Sequence, residues 1–177
     1  AHNMRLRAPG PHRTLAPPGI LVKSAFSAYT FSADSYQTKS IHLSPAHSVL
    51  QDVFGYEQFR GPQEAIVGHV ITGGDALVLM PTGGGKSLCY QVPAIVRQQQ
   101  GRGVTIVISP LIALMHDQVG ALHEAGVDAA FLNATLSFDE AQDVELRLQT
   151  GDITLLYAAP ERLNTPRFLG LLDSLYQ

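Results

Sequence analysis

From residue 44 onward the apolar positions of this chain alternate between two rhythms. Residues 104–109 (VTIVIS) and 153–158 (ITLLYA) are near-continuous apolar runs, the pattern of strands covered on both faces. Residues 76–80 (ALVLM) and 128–132 are shorter runs of the same kind and predict two further strands. Helical spacing occupies the intervals and predicts helices over residues 86–98, 111–125, 137–150 and 166–176. Two more helices precede them. Ser44 followed by Pro45 is an N-cap with proline at the first helical position, and Val49, Leu50 and Val53 fall on one face beyond it. Pro62 opens the second, which carries Ala65, Ile66, His69 and Val70. The punctuation is local chemistry. Ser137-x-x-Glu140 is a capping box, Thr165 caps the last helix, Gly126 and Gly151 close two others, and Pro93 predicts a kink. Repeated strand–helix units with buried strands predict an α/β domain, a parallel sheet with helices on both faces.

Residues 1–43 have neither rhythm. The stretch RAPGPHRTLAPPG holds four prolines, and the rest is rich in Ser and Ala, so this is expected to be a poorly ordered leader. An organelle transit peptide, a start-site or vector extension, and a plain tail are all compatible with its composition. The leader carries Arg5, Arg7, Arg13, Lys23 and Lys39 against Asp34 alone, a net +4, which leaves −7 for residues 44–177. The globular part is therefore acidic and has no basic stripe, so any nucleic-acid contact must be local. No apolar run approaches the roughly 18 residues of a membrane span. Cys89 is the single cysteine, which excludes an intrachain disulfide and suits a small core residue. His69, His116 and His123 share no metal-ligand spacing, and the acids from Asp139 to Glu145 read as a solvated helix face.

The chemistry concentrates in LVLMPTGGGKSLCYQVPA, residues 77–94. Three adjacent glycines weaken a helix or strand by roughly 0.5–1 kcal/mol each, so they belong where the backbone takes positive φ or where a ligand approaches it closely. Here Pro81, Thr82, Gly83, Gly84 and Gly85 join a predicted strand to a predicted helix opening on Lys86 and Ser87. Loop N–H groups and the helix N-terminus converge on one point and favour an anion. The Lys86 ammonium adds a charge worth roughly 4 kcal/mol at about 4 Å and an effective dielectric near 20. The Ser87 hydroxyl suits a Mg²⁺ ion that bridges phosphates. The arrangement predicts a P-loop for a nucleoside triphosphate, with Met80 standing where the general pattern has glycine.

MPTGGGKSLCYQVPA, the downstream VISPLIALMHDQV and LLYAAPERL, and the upstream FGYEQFRGPQEAI together resemble the first motor domain of RecQ-family DNA helicases, over about residues 48–177. The resemblance implies a RecA-like fold, ATP and Mg²⁺ as cofactors, DNA as partner, and 3′→5′ unwinding in repair and recombination. It makes Met80 normal. It implies that Tyr56 stacks on adenine, that Gln63 reads the adenine edge with a side-chain amide, and that Arg60 supports the pocket. Ser109, Pro110 and Leu111 resemble a motif that holds single-strand phosphates; a plain strand-to-helix turn is the alternative reading. Pro160 and Glu161, followed by Arg162, resemble the next DNA-side motif, with a helix cap as the alternative. His116 stands where many relatives carry lysine.

The resemblance also implies parts that this sequence does not contain. These are an Asp-Glu-Ala-His motif to hold Mg²⁺ and position water, an aromatic-rich coupling loop, and a second motor domain with an arginine finger. Within it, the strand carrying the acids and the strand after it lie between the P-loop strand and the others. Residues 76–80 are thus expected to lack their neighbour, and the 177-residue chain to be inactive in hydrolysis and marginal in stability. A non-catalytic truncated product or ATP-binding regulatory fragment is the competing reading. The short distance to the first motif resembles compact bacterial relatives, which points to the cytoplasm, with the nucleus as alternative; nothing points to an oligomer. A cooperative thermal transition with native-like helix content would contradict the expected marginal stability.

Overall fold

The computed structural model of the chain describes residues 44–175. The leader read over residues 1–43 and the predicted last helical residue, Tyr176, lie outside them. Helix α1 (Pro45–Asp52) begins where Ser44 Oγ accepts the His47 N–H, with proline in its first turn. Helix α2 (Gln63–Ile71) follows Pro62 directly. Helix α3 (Leu88–Gln99) runs through Pro93, which is buried. Strand β1 (Thr105–Ile108), α4 (Ile112–Glu124), β2 (Ala129–Leu132), α5 (Phe138–Gln149), β3 (Leu155–Ala158) and α6 (Pro166–Leu175) complete the order, with a 3-10 turn at Pro160–Arg162.

The three strands form one parallel sheet in the order β1-β3-β2. Leu155 stands between Thr105 and Ala129, and Tyr157 between Val107 and Phe131. Alternation along the strands divides the core in two. Val107, Ala129, Leu155 and Tyr157 pack with Leu50, Val67, Val92 and Met115 from α1 to α4. Ile106, Ala130, Leu132, Leu156 and Ala158 face Val144 and Leu148 of α5 and Phe168 and Leu171 of α6. This is the expected sheet with helices on both faces.

One predicted strand is absent. Residues 76–80 carry no strand pairing, and Leu77 and Leu79 are 45% and 44% exposed. Apolar composition favours an extended chain, but a strand also needs a hydrogen-bonding neighbour for its backbone groups. Among the described residues this segment has none.

The helix ends behave as read. The Ser137 hydroxyl accepts the Glu140 N–H while the Glu140 carboxylate accepts the Ser137 N–H at 2.7 Å. Phe168 N–H donates to Thr165 Oγ at the start of α6. Gly126 and Gly151 take φ of 75° and 80° beyond α4 and α5.

Two outcomes follow. Leu156→Ala, at a site with no exposure, is expected to cost about 2–5 kcal/mol by urea unfolding, whereas Leu79→Ala costs less than about 1 kcal/mol. The hydrogen bonds from Ser137 hold the Glu140 carboxyl below its ordinary value. The cap therefore contributes fully above the ordinary carboxylate pKa and fades as pH falls through the lower folded value. Hydrogen-exchange protection at the first turn of α5, taken relative to the free-peptide rate at the same pH, should fall in acid in the native chain, and should show no such step in Glu140→Gln.

Candidate nucleotide and nucleic-acid site

The chain leaves α1 through Gly55, at φ 70°, and the Tyr56 N–H returns to Leu50 O at 3.1 Å. This turn presents the Tyr56 ring 47% exposed, with the Arg60 guanidinium 6.0 Å from its centroid. The ring is available for stacking and the cation lies beside it. Gln63, the first residue of α2, is buried. Its Oε1 accepts the Arg60 N–H at 2.7 Å, and its Nε2 donates to Gly85 O at 3.1 Å and more weakly to Gly84 O at 3.4 Å. A single side-chain amide thus ties the Tyr56–Arg60 turn to the glycine loop 21 residues later.

The loop has the geometry that its composition demands. Gly83 and Gly85 take φ of 79° and 74°, and Gly84 N–H donates to Pro81 O at 3.0 Å. A methyl group on Gly85 would overlap Gln63 Nε2. Thr82 is exposed at the loop tip. Lys86 Nζ donates to Met80 O at 2.7 Å and Pro81 O at 2.8 Å, so the ammonium is folded across the base of its own loop. Ser87 precedes α3 and makes no side-chain capping bond, which leaves its hydroxyl for a ligand.

At the C-terminal edge of the sheet, where open α/β sheets place ligands, two other motifs meet. The Ser109 N–H donates to Ala158 O at 3.1 Å, fastening the exit of β1 to the end of β3. Ser109 Oγ accepts the Leu111 N–H at 3.4 Å; Pro110 and Leu111 are exposed, and the α4 N-terminus has no side-chain cap. Pro160 and Glu161 are exposed in the turn after β3. Arg162 is turned inward, its Nη2 donating to Asn133 O at 2.6 Å across to the exit of β2.

Other expectations resolve into packing. The His116 ring lies 4.1 Å from the Phe131 ring. His69 and His123 donate to Asp75 O and Ala129 O, at 2.9 and 2.7 Å. Among the described residues, no three His, Cys, Asp or Glu side chains are grouped to hold a metal. No helix among them is long and apolar enough to cross a membrane.

Sequence reading passed over Asn133. It is fully buried, its Oδ1 accepts from Thr135 N–H at 2.9 Å and Thr135 Oγ at 2.6 Å, and its Nδ2 has no partner among the described residues. An Asn after a strand carries no signal beyond that of a turn.

Residues 60–173 match the DEAD/DEAH box helicase family. The chain belongs to that family. The resemblance to RecQ helicases is borne out as well. The ATP-dependent DNA helicase RecQ of Haemophilus influenzae is 46% identical over 136 residues, 77% of this chain and 21% of the relative. That of Bacillus subtilis is 45% identical over 134 residues, 75% of this chain and 22% of the relative. The ATP-dependent DNA helicase Q5 of Rattus norvegicus is 40% identical over 148 residues, 81% of this chain and 15% of the relative. The chain spans about a fifth of the length of the bacterial relatives.

The Gln63 brace can be tested by a matched pair of substitutions. Gly101→Ala, at φ 71° with open space around the new methyl, is expected to cost about 1 kcal/mol for left-handed backbone alone. Gly85→Ala at a similar φ should cost about 2–3 kcal/mol because it also displaces Gln63. Chemical unfolding should show the excess vanish in a Gln63→Ala background.

Proposed function

We propose that this chain is the ATP-binding segment of an ATP-dependent 3′→5′ DNA helicase of the RecQ type, acting in DNA repair and recombination. The observation that carries the reading is the coupled pair of a phosphate loop and a Tyr56–Arg60–Gln63 pocket, joined by the Gln63 amide. The open space above Gly83, the positive φ of Gly83 and Gly85, and the unshared Ser87 hydroxyl fit a triphosphate with Mg²⁺. Mg²⁺ retains several waters and takes few protein ligands when phosphates supply the rest, so one hydroxyl is a sufficient local donor. When bound, the metal neutralises developing phosphate charge.

The chain's own residues do the rest. Tyr56 stacks on the adenine and Arg60 supports that stack. Gln63 exchanges its bonds to Gly84, Gly85 and Arg60 for the adenine edge, which needs a donor and an acceptor side by side. Pro81 opens the loop, Thr82 to Gly85 cradle the phosphates through backbone N–H groups, and Lys86 swings from the Met80 and Pro81 carbonyls to the terminal phosphates. Ser109, Pro110 and Leu111, with Pro160 and Glu161, line the sugar–phosphate backbone of a single DNA strand, which the Ser109 hydroxyl and the uncapped first-turn N–H groups of α4 hold without net positive charge. The proposed location is the cytoplasm, with the nucleus as alternative.

Hydrolysis needs an acid beside Ser87 and an arginine finger, and no group of three acidic or metal-ligating side chains is assembled among the described residues. The 177-residue chain is proposed to bind ATP weakly and not to turn it over. Calorimetry with ATP and Mg²⁺ is expected to give saturable binding that Lys86→Ala abolishes. Equal binding by the wild type and the substituted chain overturns the assignment; turnover by the purified chain overturns the proposed inactivity of the fragment.

A further inference from the structure

A closed ring of side-chain hydrogen bonds, with Gln91 and Tyr157 buried and Tyr90 and Gln118 half-buried, lies between the two halves of this site. Gln91 Nε2 donates to Gln118 Oε1 at 2.9 Å and to Tyr157 Oη at 3.3 Å. Tyr90 Oη donates to Gln118 Oε1 at 3.1 Å and lies 3.4 Å from Tyr157 Oη. Because the Gln91 amide already donates to Tyr157, the Tyr157 proton is free to point at Tyr90, and the Tyr90 proton at Gln118. Every bond in the ring then has one donor and one acceptor. Gln91 and Tyr157 are 6% and 1% exposed. Burial pushes the Tyr157 hydroxyl far above its ordinary value, so it stays neutral.

The three elements that supply the ring are the three that leave the site. Tyr90 and Gln91 sit in the first turn of α3, their N–H groups bonded to Ser87 O at 3.1 and 2.9 Å. Gln118 belongs to α4, which starts at the Ser109–Leu111 motif. Tyr157 is in β3, three residues before Pro160. Apolar side chains of the same shape would fill this space at little cost in stability, since a buried hydrogen-bonded set contributes little net free energy over an apolar replacement. What a fully satisfied polar ring adds is direction: it holds only when α3, α4 and β3 keep one mutual position. A shift of α3 by less than 1 Å stretches the 2.9 and 3.1 Å bonds to Gln118 beyond hydrogen-bond range and opens the ring. Transmission between sites requires an element with two arrangements; in this structure the ring is closed.

We infer that this ring couples the nucleotide loop to the DNA-side loops, with Gln118 and Tyr157 as positioning residues that touch neither ligand. The inference rests on the nucleotide and single-strand assignments above. Displacement of Ser87 and the first turn of α3 by a bound triphosphate is read by Gln118 and passed to the start of α4.

The test is reciprocal linkage in the full 177-residue chain. Fluorescence anisotropy measures the Kd for a labelled oligo-dT strand with and without a non-hydrolysable ATP analogue and Mg²⁺. In the wild type the analogue should change the Kd at least about fivefold. Gln118→Leu should bring that factor below twofold while each ligand's separate Kd stays within threefold. Tyr157→Phe, which keeps the ring volume and removes only the hydroxyl, should do the same if Gln118→Leu proves unstable. Binding of both ligands by the wild type without mutual effect overturns the inference and leaves the function standing. Variants that keep the fivefold factor, or that lose both affinities together, also overturn it. Failure of the wild type to bind either ligand overturns the assignment of function and the inference with it.

Discussion

Strand β3 is paired along both edges with parallel neighbours and covered on both faces by helices. Leu155, Leu156, Tyr157 and Ala158 are at most 1% exposed. The register of β3 is set by pairing on both edges at once, Leu155 against Thr105 and Ala129 and Tyr157 against Val107 and Phe131, and a slip of one residue would exchange the side chains fitted to the two core layers. The sheet edge that carries the candidate DNA contacts is therefore fixed by β3. Ala158 O receives the Ser109 N–H on one side, and the Ala159 N–H bonds Leu132 O on the other. The exits of β1, β3 and β2 are held in a row by backbone bonds, and Arg162 adds a side-chain tie from the second to the third.

The nucleotide side is held differently. Residues 76–80 lead into the glycine loop with no strand partner among the described residues, so the loop takes its position from α3 behind it and from Gln63 beside it. Lys86, folded over the Met80 and Pro81 carbonyls, closes the loop from below. Each bond in this arrangement joins a group that the proposed ligand would also claim. In the proposed site the loop is kept in shape by contacts that the nucleotide would exchange rather than break without return.

What the sequence made legible was local or periodic. The capping box from Ser137 to Glu140 spans four residues, and Gly126 and Gly151 act at their own φ; these chemistries are complete within about a turn. The continuous burial of β1 and β3 is equally visible, because their runs are apolar on both faces. Residues 76–80 differ: strand formation depends on a neighbour, no feature of ALVLM reports whether one is present, and the expectation that it is missing came from the family resemblance and not from the run itself. The loop residues were found by type and order, and Gln63 was singled out as an adenine reader. Its bond to Gly85, across 22 residues, had no signal in either segment. The ring of Tyr90, Gln91, Gln118 and Tyr157 was invisible for the same reason, since its members are ordinary residues until the sheet brings them together.

The central claim is that the Tyr56–Gln63 turn and the glycine loop form one nucleotide site in this chain. Hydrogen exchange with and without ATP and Mg²⁺ reads both halves at once. The account predicts that both segments change together on nucleotide addition, the 83–88 amides gaining protection and the Arg60 amide losing it as Gln63 leaves for the adenine, with α5 unchanged. Protection of the glycine loop alone would contradict the adenine role of the turn, and no change in either segment would contradict the site itself.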